Sequence, residues 1–348
     1  MIVRAEKKKW TGTEYGATEN EGGGLNMGQT TKIDWCDATW NPVTGCLHGC
    51  EYCYARRIVK RFNPYEFAEV DGIHAMHQPY RDTWLDENGE SRKGRIEPYP
   101  FGFDPTLHRY KLDDPQKWKK PRTVFVCSMA DLFGDWVPDE WIKDVFEACA
   151  KAPQHRYLFL TKNPKRYVTL YMEDILPVGA GYWYGTTVTE PEQPFFGGRT
   201  PDDNPHTFVS IEPILKPFGE IKAFPEWVII GAETGNRKGR IAPKKAWIDE
   251  IAQQAQERRV PVFMKESLRG LMGEDFRQEF PWGRDAGDQL YVNDNRIVYP
   301  EYLPKYEMTP IHLSVSNELI PCDGDIGEEL SDDDYNHMIA NRRRKTEA

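Results

Sequence analysis

TVFVCSMADLF, residues 123–133, decides how this chain folds: a short β-rich apolar run breaks at its end into small and acidic residues. That is the pattern of a buried strand in a parallel sheet, which releases its last side chains into a loop. The pattern recurs in RYLFLT (156–161), YWYGTTV (182–188), TFVSIE (207–212), EWVIIGAE (226–233) and PVFMK (261–265), and one more strand is expected upstream around Thr39 to Thr44. Amphipathic segments lie between them. In DEWIKDVFEACAK (139–151), Trp141, Ile142, Val145, Phe146 and Cys149 share one helical face, and KKAWIDEIAQQAQERR (244–259) repeats the phase with Trp247, Ile248, Ile251, Ala252 and Ala255. Residues 52–62 and 164–174 are further helix candidates, the second opened by Asn163 as cap and Pro164 in the first turn. Such alternation is the signature of βαβ units.

Upstream of this series stands GCLHGCEYCYA (45–55), which puts Cys46, Cys50 and Cys53 on one loop at the spacing C-x-x-x-C-x-x-C. A [4Fe-4S] cluster needs four thiolates to be saturated, so three on one loop leave one iron open to a substrate or cofactor. The competing reading is a closed zinc site in which His48 completes a Cys₃His set, although His48 lies between two ligands on one tight loop. Cys36, Cys127, Cys149 and Cys322 are scattered. Cys149, on an apolar helix face, reads as a small core residue, whereas Cys127, near a strand end, is a candidate hydrogen donor or extra ligand.

The 348 residues, 39% hydrophobic and 29% charged, suffice for one large domain or two small ones. No run reaches the length of a membrane span, and MIVRAEKKKW lacks the apolar stretch of a signal peptide, so the expected compartment is the cytoplasm. Seven cysteines, an odd number with three in eight positions, argue for reduced thiols rather than a disulfide framework. A net charge of −10 excludes a global basic field of the kind nonspecific nucleic-acid binders carry, though not a local basic groove.

Residues 1–30 are polar, contain Gly22, Gly23 and Gly24, and read as a flexible leader; Met27 opens MGQTTKIDW and is an expected translation start. Residues 1–26 would then be a start-site artefact or a disordered extension. Residues 31–268 form the patterned domain, interrupted at 63–122 by a Pro-, Gly- and Tyr-rich insertion of the kind that covers a site. Residues 190–206 are a second irregular connection. Residues 269–348 read as an extension whose end segregates charge, with acid from Asp323 to Asp334 and base at Arg342, Arg343, Arg344 and Lys345.

The carboxyl ends of parallel strands collect at one rim, and here those ends are polar on nearly every strand. They supply Ser128 and Asp131, Thr161 and Lys162, Thr187, Thr189 and Glu190, Ser210 and Glu212, Glu233 and Thr234, and Lys265 and Glu266.

Together the cysteine loop and the strand series resemble the radical SAM superfamily. TKIDWCDATWNPVTGC (31–46), CEYCYA (50–55), KWKKPRTVFVCSMADLF (117–133), APQHRYLFLTKNPKR (152–166), FVSIEPIL (208–215) and WVIIGAETG (227–235) resemble its phage-associated radical-SAM-like family of unassigned function. The resemblance implies an α/β fold, a partial (β/α)6 TIM-like barrel of parallel strands with an insertion after the first helix and irregular tails. It implies that Cys46, Cys50 and Cys53 hold a [4Fe-4S] cluster whose open iron chelates S-adenosylmethionine. Reductive cleavage of that cofactor would then abstract hydrogen from a substrate, with an electron donor such as flavodoxin or ferredoxin as partner.

By the same resemblance Tyr52 contacts adenine, Lys162 pairs with the methionyl carboxylate, and Thr187 and Thr189 bond the ribose. The Ile230–Glu233 run stands loosely for an adenine-supporting motif with Glu233. CSMADLF replaces the superfamily's Gly-Gly-Glu, which leaves Ser128 and Asp131 as substitutes for binding the methionyl amine. Cys127, Asp131 and Lys265 are the catalytic candidates. The phage association and a distant likeness to spore photoproduct lyase point to a nucleic acid or nucleotide substrate, with Lys117, Lys119, Lys120 and Arg122 around Trp118 as a local basic patch. The alternative class is a non-catalytic binding module stabilised by zinc or an iron-sulfur centre.

Overall fold

The computed structural model describes residues 31–62, 72–85, 88–197 and 205–282, with four short strands at 292–293, 296–297, 312–315 and 318–321. The leader, Cys322 and the charged end lie outside the described residues. The main sheet has seven strands: β1 (Ala38–Trp40), β2 (Thr123–Val126), β3 (Arg156–Thr161), β4 (Tyr182–Val188), β5 (His206–Ile211), β6 (Trp227–Ile230) and β7 (Val262–Met264). All are parallel, and each pairs with its neighbours in chain order. An order that never reverses is that of a barrel, whereas a doubly wound sheet reverses at a switch point.

Side-chain contacts give the curvature. The Trp35 ring lies 4.6 Å from Phe125 on β2 and 6.3 Å from Trp227 on β6. Those strands would stand roughly 19 Å apart in a flat sheet, so the sheet wraps around Trp35 as a half barrel. The predicted partial barrel is therefore what forms.

Register sorts the side chains. Phe125, Leu158, Trp183, Phe208, Trp227 and Phe263 line the concave floor with Trp35, all buried. Residues of opposite parity, among them Val124, Phe159, Tyr184, Ile211, Ile230 and Met264, face outward into two larger clusters beneath the helices. Burying each large side chain contributes roughly 1.5–3 kcal/mol. Gly185 is required on β4, because a Cβ there would stand 2.3 Å from the Phe208 ring. Towards the strand ends the concave rows turn polar, through Ser210 and Thr187 to Glu212 and Lys265.

The longer helices are α1 (Tyr54–Phe62), α2 (Asp139–Ala150), α3 (Pro164–Met172) and α4 (Lys245–Glu257), following β1, β2, β3 and β6, and a single helical turn, Arg269–Met272, comes after β7. Among the described residues no helix follows β4 or β5. After β4 a short strand, Phe195–Gly197, covers the sheet, with Phe196 buried 5.3 Å from the Tyr167 ring and its N–H on Thr186 Oγ1. None of these helices is long and apolar enough to cross a membrane.

Two expectations need correction. The single strand around Thr39–Thr44 is broken at Asn41–Pro42: Val43–Thr44 leaves the main sheet and pairs antiparallel with Thr106–His108 from the insertion. Asn41 is occupied instead in accepting from Ser128 Oγ and Met129 N. Pro164 does open α3, but Asn163 does not cap it; its side-chain amide donates to Phe133 O and Asp135 Oδ1 at 3.0 and 2.7 Å.

Candidate functional site

The cysteine loop enters through a glycine. Gly45 has φ +86°, donates to Met129 O at 2.9 Å, and leaves no room for a Cβ, which would stand 2.1 Å from Asp104 O. Only glycine passes between the β2 loop and the insertion there. Cys46 N then donates to Phe103 O at 3.1 Å. Cys53 N closes a turn onto Cys50 O at 3.2 Å, and Cys53 itself stands just before α1. Its sulfur accepts the Arg56 N–H at 3.4 Å, the position an N-cap oxygen usually fills. Ala55 and Val59 hold the helix against Met129, while Arg56 reaches back to Cys46 O at 3.0 Å.

All three cysteines are free thiols, partly buried. Burial pushes the Cys46 thiol up to about 12; the His48 backbone N–H opposes that, and Asp131, Cys50 and Cys53 add to it. A thiol in that setting ionises when it gains a cationic partner. Among the described residues no three His, Cys, Asp or Glu side chains converge on one ion position. A cubane makes no such demand, since each thiolate takes its own iron. Three thiols on one loop, with backbone N–H groups on the Cys46 and Cys53 sulfurs, therefore fit a cluster.

Asp131 docks this loop on the barrel. Buried to 5% exposure, its carboxylate accepts from His48 Nε2 (2.7 Å), Thr161 Oγ1 (2.7 Å), Lys162 N (2.8 Å) and Phe133 N (3.0 Å). Tyr52 meets Lys162, whose Nζ is 3.3 Å from the phenol oxygen and 5.3 Å from the ring centre. Ser128 meets the residue after Cys53, its carbonyl accepting from Tyr54 OH, while its hydroxyl donates to Asn41 Oδ1 at 3.1 Å. The structure thus brings Cys46, Cys50, Cys53, Tyr52, Ser128, Asp131 and Lys162 together.

The rest of the rim follows the curve of the sheet. Thr187 pairs in register with Ser210, whose buried hydroxyl has no hydrogen-bond partner among the described residues, the state of a group that awaits a ligand atom or water. Thr189 turns its hydroxyl to Gln193 Oε1 at 3.1 Å. Lys265 Nζ donates to Glu212 Oε1 at 2.6 Å, and the pair lies over Gly231, where a Cβ would come within 2.9 Å of Lys265 Cδ. Glu233 is clasped by Arg237 through bonds of 2.7 and 2.8 Å, which lower its pKa. Cys127 is not among them: it is 3% exposed within the main core, and burial pushes its thiol up to about 12.

Sequence reading missed how α1 is stitched to the β6 loop. Arg57 Nη2 donates to Thr234 O at 3.1 Å, and Arg237 Nη1 to Glu51 Oε2 at 3.3 Å. The signal was present in two basic segments, YARRIVKRF (54–62) and GNRKGR (235–240). The patch around Trp118 lies elsewhere, before the amino end of β2, and Trp118 is buried against Arg122 and His155 rather than offered as a stacking face.

A family model described as a protein of unknown function (DUF5131) matches residues 30–269. No curated protein matches the chain. Among solved structures the chain is similar to a spore photoproduct lyase variant with bound AdoMet and dinucleoside spore photoproduct, at 11% identity and a TM-score of 0.32. The match covers 65% of this chain and 64% of that one, so it spans less than two thirds of that protein.

Proposed function

The chain belongs to the DUF5131 family of proteins of unknown function, and for it we propose radical SAM chemistry: hydrogen abstraction from a substrate held over the rim of the half barrel. The observation that carries this reading is the cysteine loop itself. It presents three free thiols at the carboxyl end of a parallel half barrel, while His48, the nearest candidate for a fourth ligand, is engaged by Asp131 at 2.7 Å. When bound, a [4Fe-4S] cluster and S-adenosylmethionine supply one-electron cleavage of the sulfonium and a 5′-deoxyadenosyl radical.

The residues of the chain divide the remaining work. Cys46, Cys50 and Cys53 hold the irons, and Asp131 fixes the loop through His48. Lys162 carries positive charge beside Tyr52, where a methionyl carboxylate is matched by the ammonium and an adenine by the ring. Ser128, on the loop after β2 and bonded to Tyr54 and Asn41, is assigned the amine. Thr187 and the unpartnered Ser210 hydroxyl offer hydrogen bonds to a ribose or substrate. Glu212 and Lys265 form a charged pair on the opposite side of the concavity, able to hold or move a proton at Lys265 Nζ. The apolar floor beneath excludes water from a reactive intermediate. A reducing cytoplasm suits the three thiols, and an electron enters from a flavodoxin or ferredoxin.

Anaerobic purification followed by metal analysis and reconstitution tests this. The expected result is iron and sulfide with a brown chromophore, and 5′-deoxyadenosine on addition of dithionite and S-adenosylmethionine. One zinc per chain, or a cluster that never cleaves the cofactor, would overturn it.

A further inference from the structure

A cavity of about 550 Å³ opens between α1 and the β6 loop. Its α1 wall is the stripe Tyr54, Arg57, Ile58 and Arg61, spaced i, i+3, i+4 and i+7 so that one helix face looks into it. Across from these stand Asn236 and Arg237. Glu51 and Glu233 are the acids at hand, and both are engaged by Arg237. Arg57 spends one donor on a backbone carbonyl, and Arg61, exposed at the end of the helix, has no partner among the described residues. Among the described residues, two guanidinium groups therefore face this space with no carboxylate bonded to either, on a chain of net charge −10.

The approach of Arg57 is built into the backbone. Gly235 has φ +94°, and a Cβ there would come within 2.6 Å of Arg57 Nη1. Glu51 and Tyr54 tie the cavity to the cysteine loop, since they flank Cys53 in sequence and line the cavity as well.

We propose that this cavity is a phosphate subsite, which takes the phosphate or phosphodiester oxygens of a nucleotide-class substrate. Planar guanidinium forks match two oxygens of a phosphate at once. Held there, the phosphate leaves a sugar or base to extend over the rim beside the cysteine loop. The placement of the reacting part rests on the radical SAM reading; the binding of phosphate does not.

Fluorescence anisotropy of the full chain with a labelled single-stranded oligonucleotide tests the subsite. The comparison is wild type against Arg57→Gln, Arg61→Gln and, at the other basic segment, Lys120→Gln, at about 50 and 200 mM salt. Expected are about tenfold weaker binding and a shallower salt dependence for Arg57→Gln and Arg61→Gln, with Lys120→Gln like wild type. Displacement by a mononucleotide assigns the site to free nucleotides, and displacement by oligonucleotide alone assigns it to a polymer; both support a phosphate subsite. No binding by wild type, equal binding by the two arginine variants, or loss in Lys120→Gln alone overturns it. Arg61 is exposed, so that variant separates lost binding from lost folding. 5′-Deoxyadenosine release by the wild-type preparation separates the two readings: binding without cleavage defeats the radical chemistry alone, and cleavage without binding defeats the subsite alone.

Discussion

Asp131 Oδ2 accepts from His48 Nε2 at 2.7 Å and joins the cysteine loop to the end of the barrel across 83 positions of sequence. The same carboxylate also receives Thr161, Lys162 and Phe133. Asp131→Asn keeps the shape but turns one oxygen into an amide donor, which then faces other donors in a buried setting. Urea denaturation is expected to give a loss of roughly 2–4 kcal/mol, with less iron retained after reconstitution. Unchanged stability and iron content would show that the bond network is incidental.

Three thiols, and no others, are expected to set cluster binding. Cys46→Ser, Cys50→Ser and Cys53→Ser should each abolish the brown chromophore on anaerobic reconstitution, whereas Cys36→Ser should keep it. Cys127, enclosed in the core, is also expected to be dispensable for the chromophore. A Cys127→Ser protein that folds and stays colourless would point to a fourth ligand.

Gly185→Ala forces a methyl group to within 2.3 Å of the Phe208 ring. Overpacking of this kind costs about 1–3 kcal/mol. Thermal denaturation should show the loss, and adding Phe208→Leu should recover part of it. If the double variant is no better than the single one, the strain lies elsewhere.

His108 makes stability depend on pH. It is fully buried, 2.8 Å from Thr44 Oγ1 and 3.2 Å from Tyr110 OH, and burial lowers its pKa to about 3. The unfolded chain takes up that proton near pH 6.5 and the folded chain does not, so the folded state is fully favoured above pH 6.5 and loses ground as pH falls towards 3. Between pH 7.5 and 5.5 this one residue should cost about 1.4 kcal/mol. His108→Gln should lower stability at pH 7.5 yet remove that part of the pH dependence, as paired denaturation curves would reveal.

The segments that became strands and helices were legible because their signals are local. A β-rich apolar run or a 3.6-residue repeat sits within one stretch of chain, and six of the seven main-sheet strands formed where such runs stand, while the first kept only part of its expected span. Local signals failed where a distant partner intervened. Asn41 is drawn to the β2 loop and breaks a strand at Pro42, and Asn163 turns from its helix to Phe133 and Asp135. Trp118, exposed-looking beside four basic residues, is buried by the insertion that carries it and by His155.

By itself the sequence determined the three-thiol loop, the parallel strand series and the polar strand ends, since each is a matter of residue type and spacing. Only the tertiary structure decided which of those polar ends meet. Lys265 finds Glu212 across 53 positions, and Arg57 finds Thr234 across 177. The reason is geometric. Whether such residues touch depends on how far the sheet curls, and that curl is set by the aromatic floor packing around Trp35, a sum of many contacts that no single stretch of sequence contains.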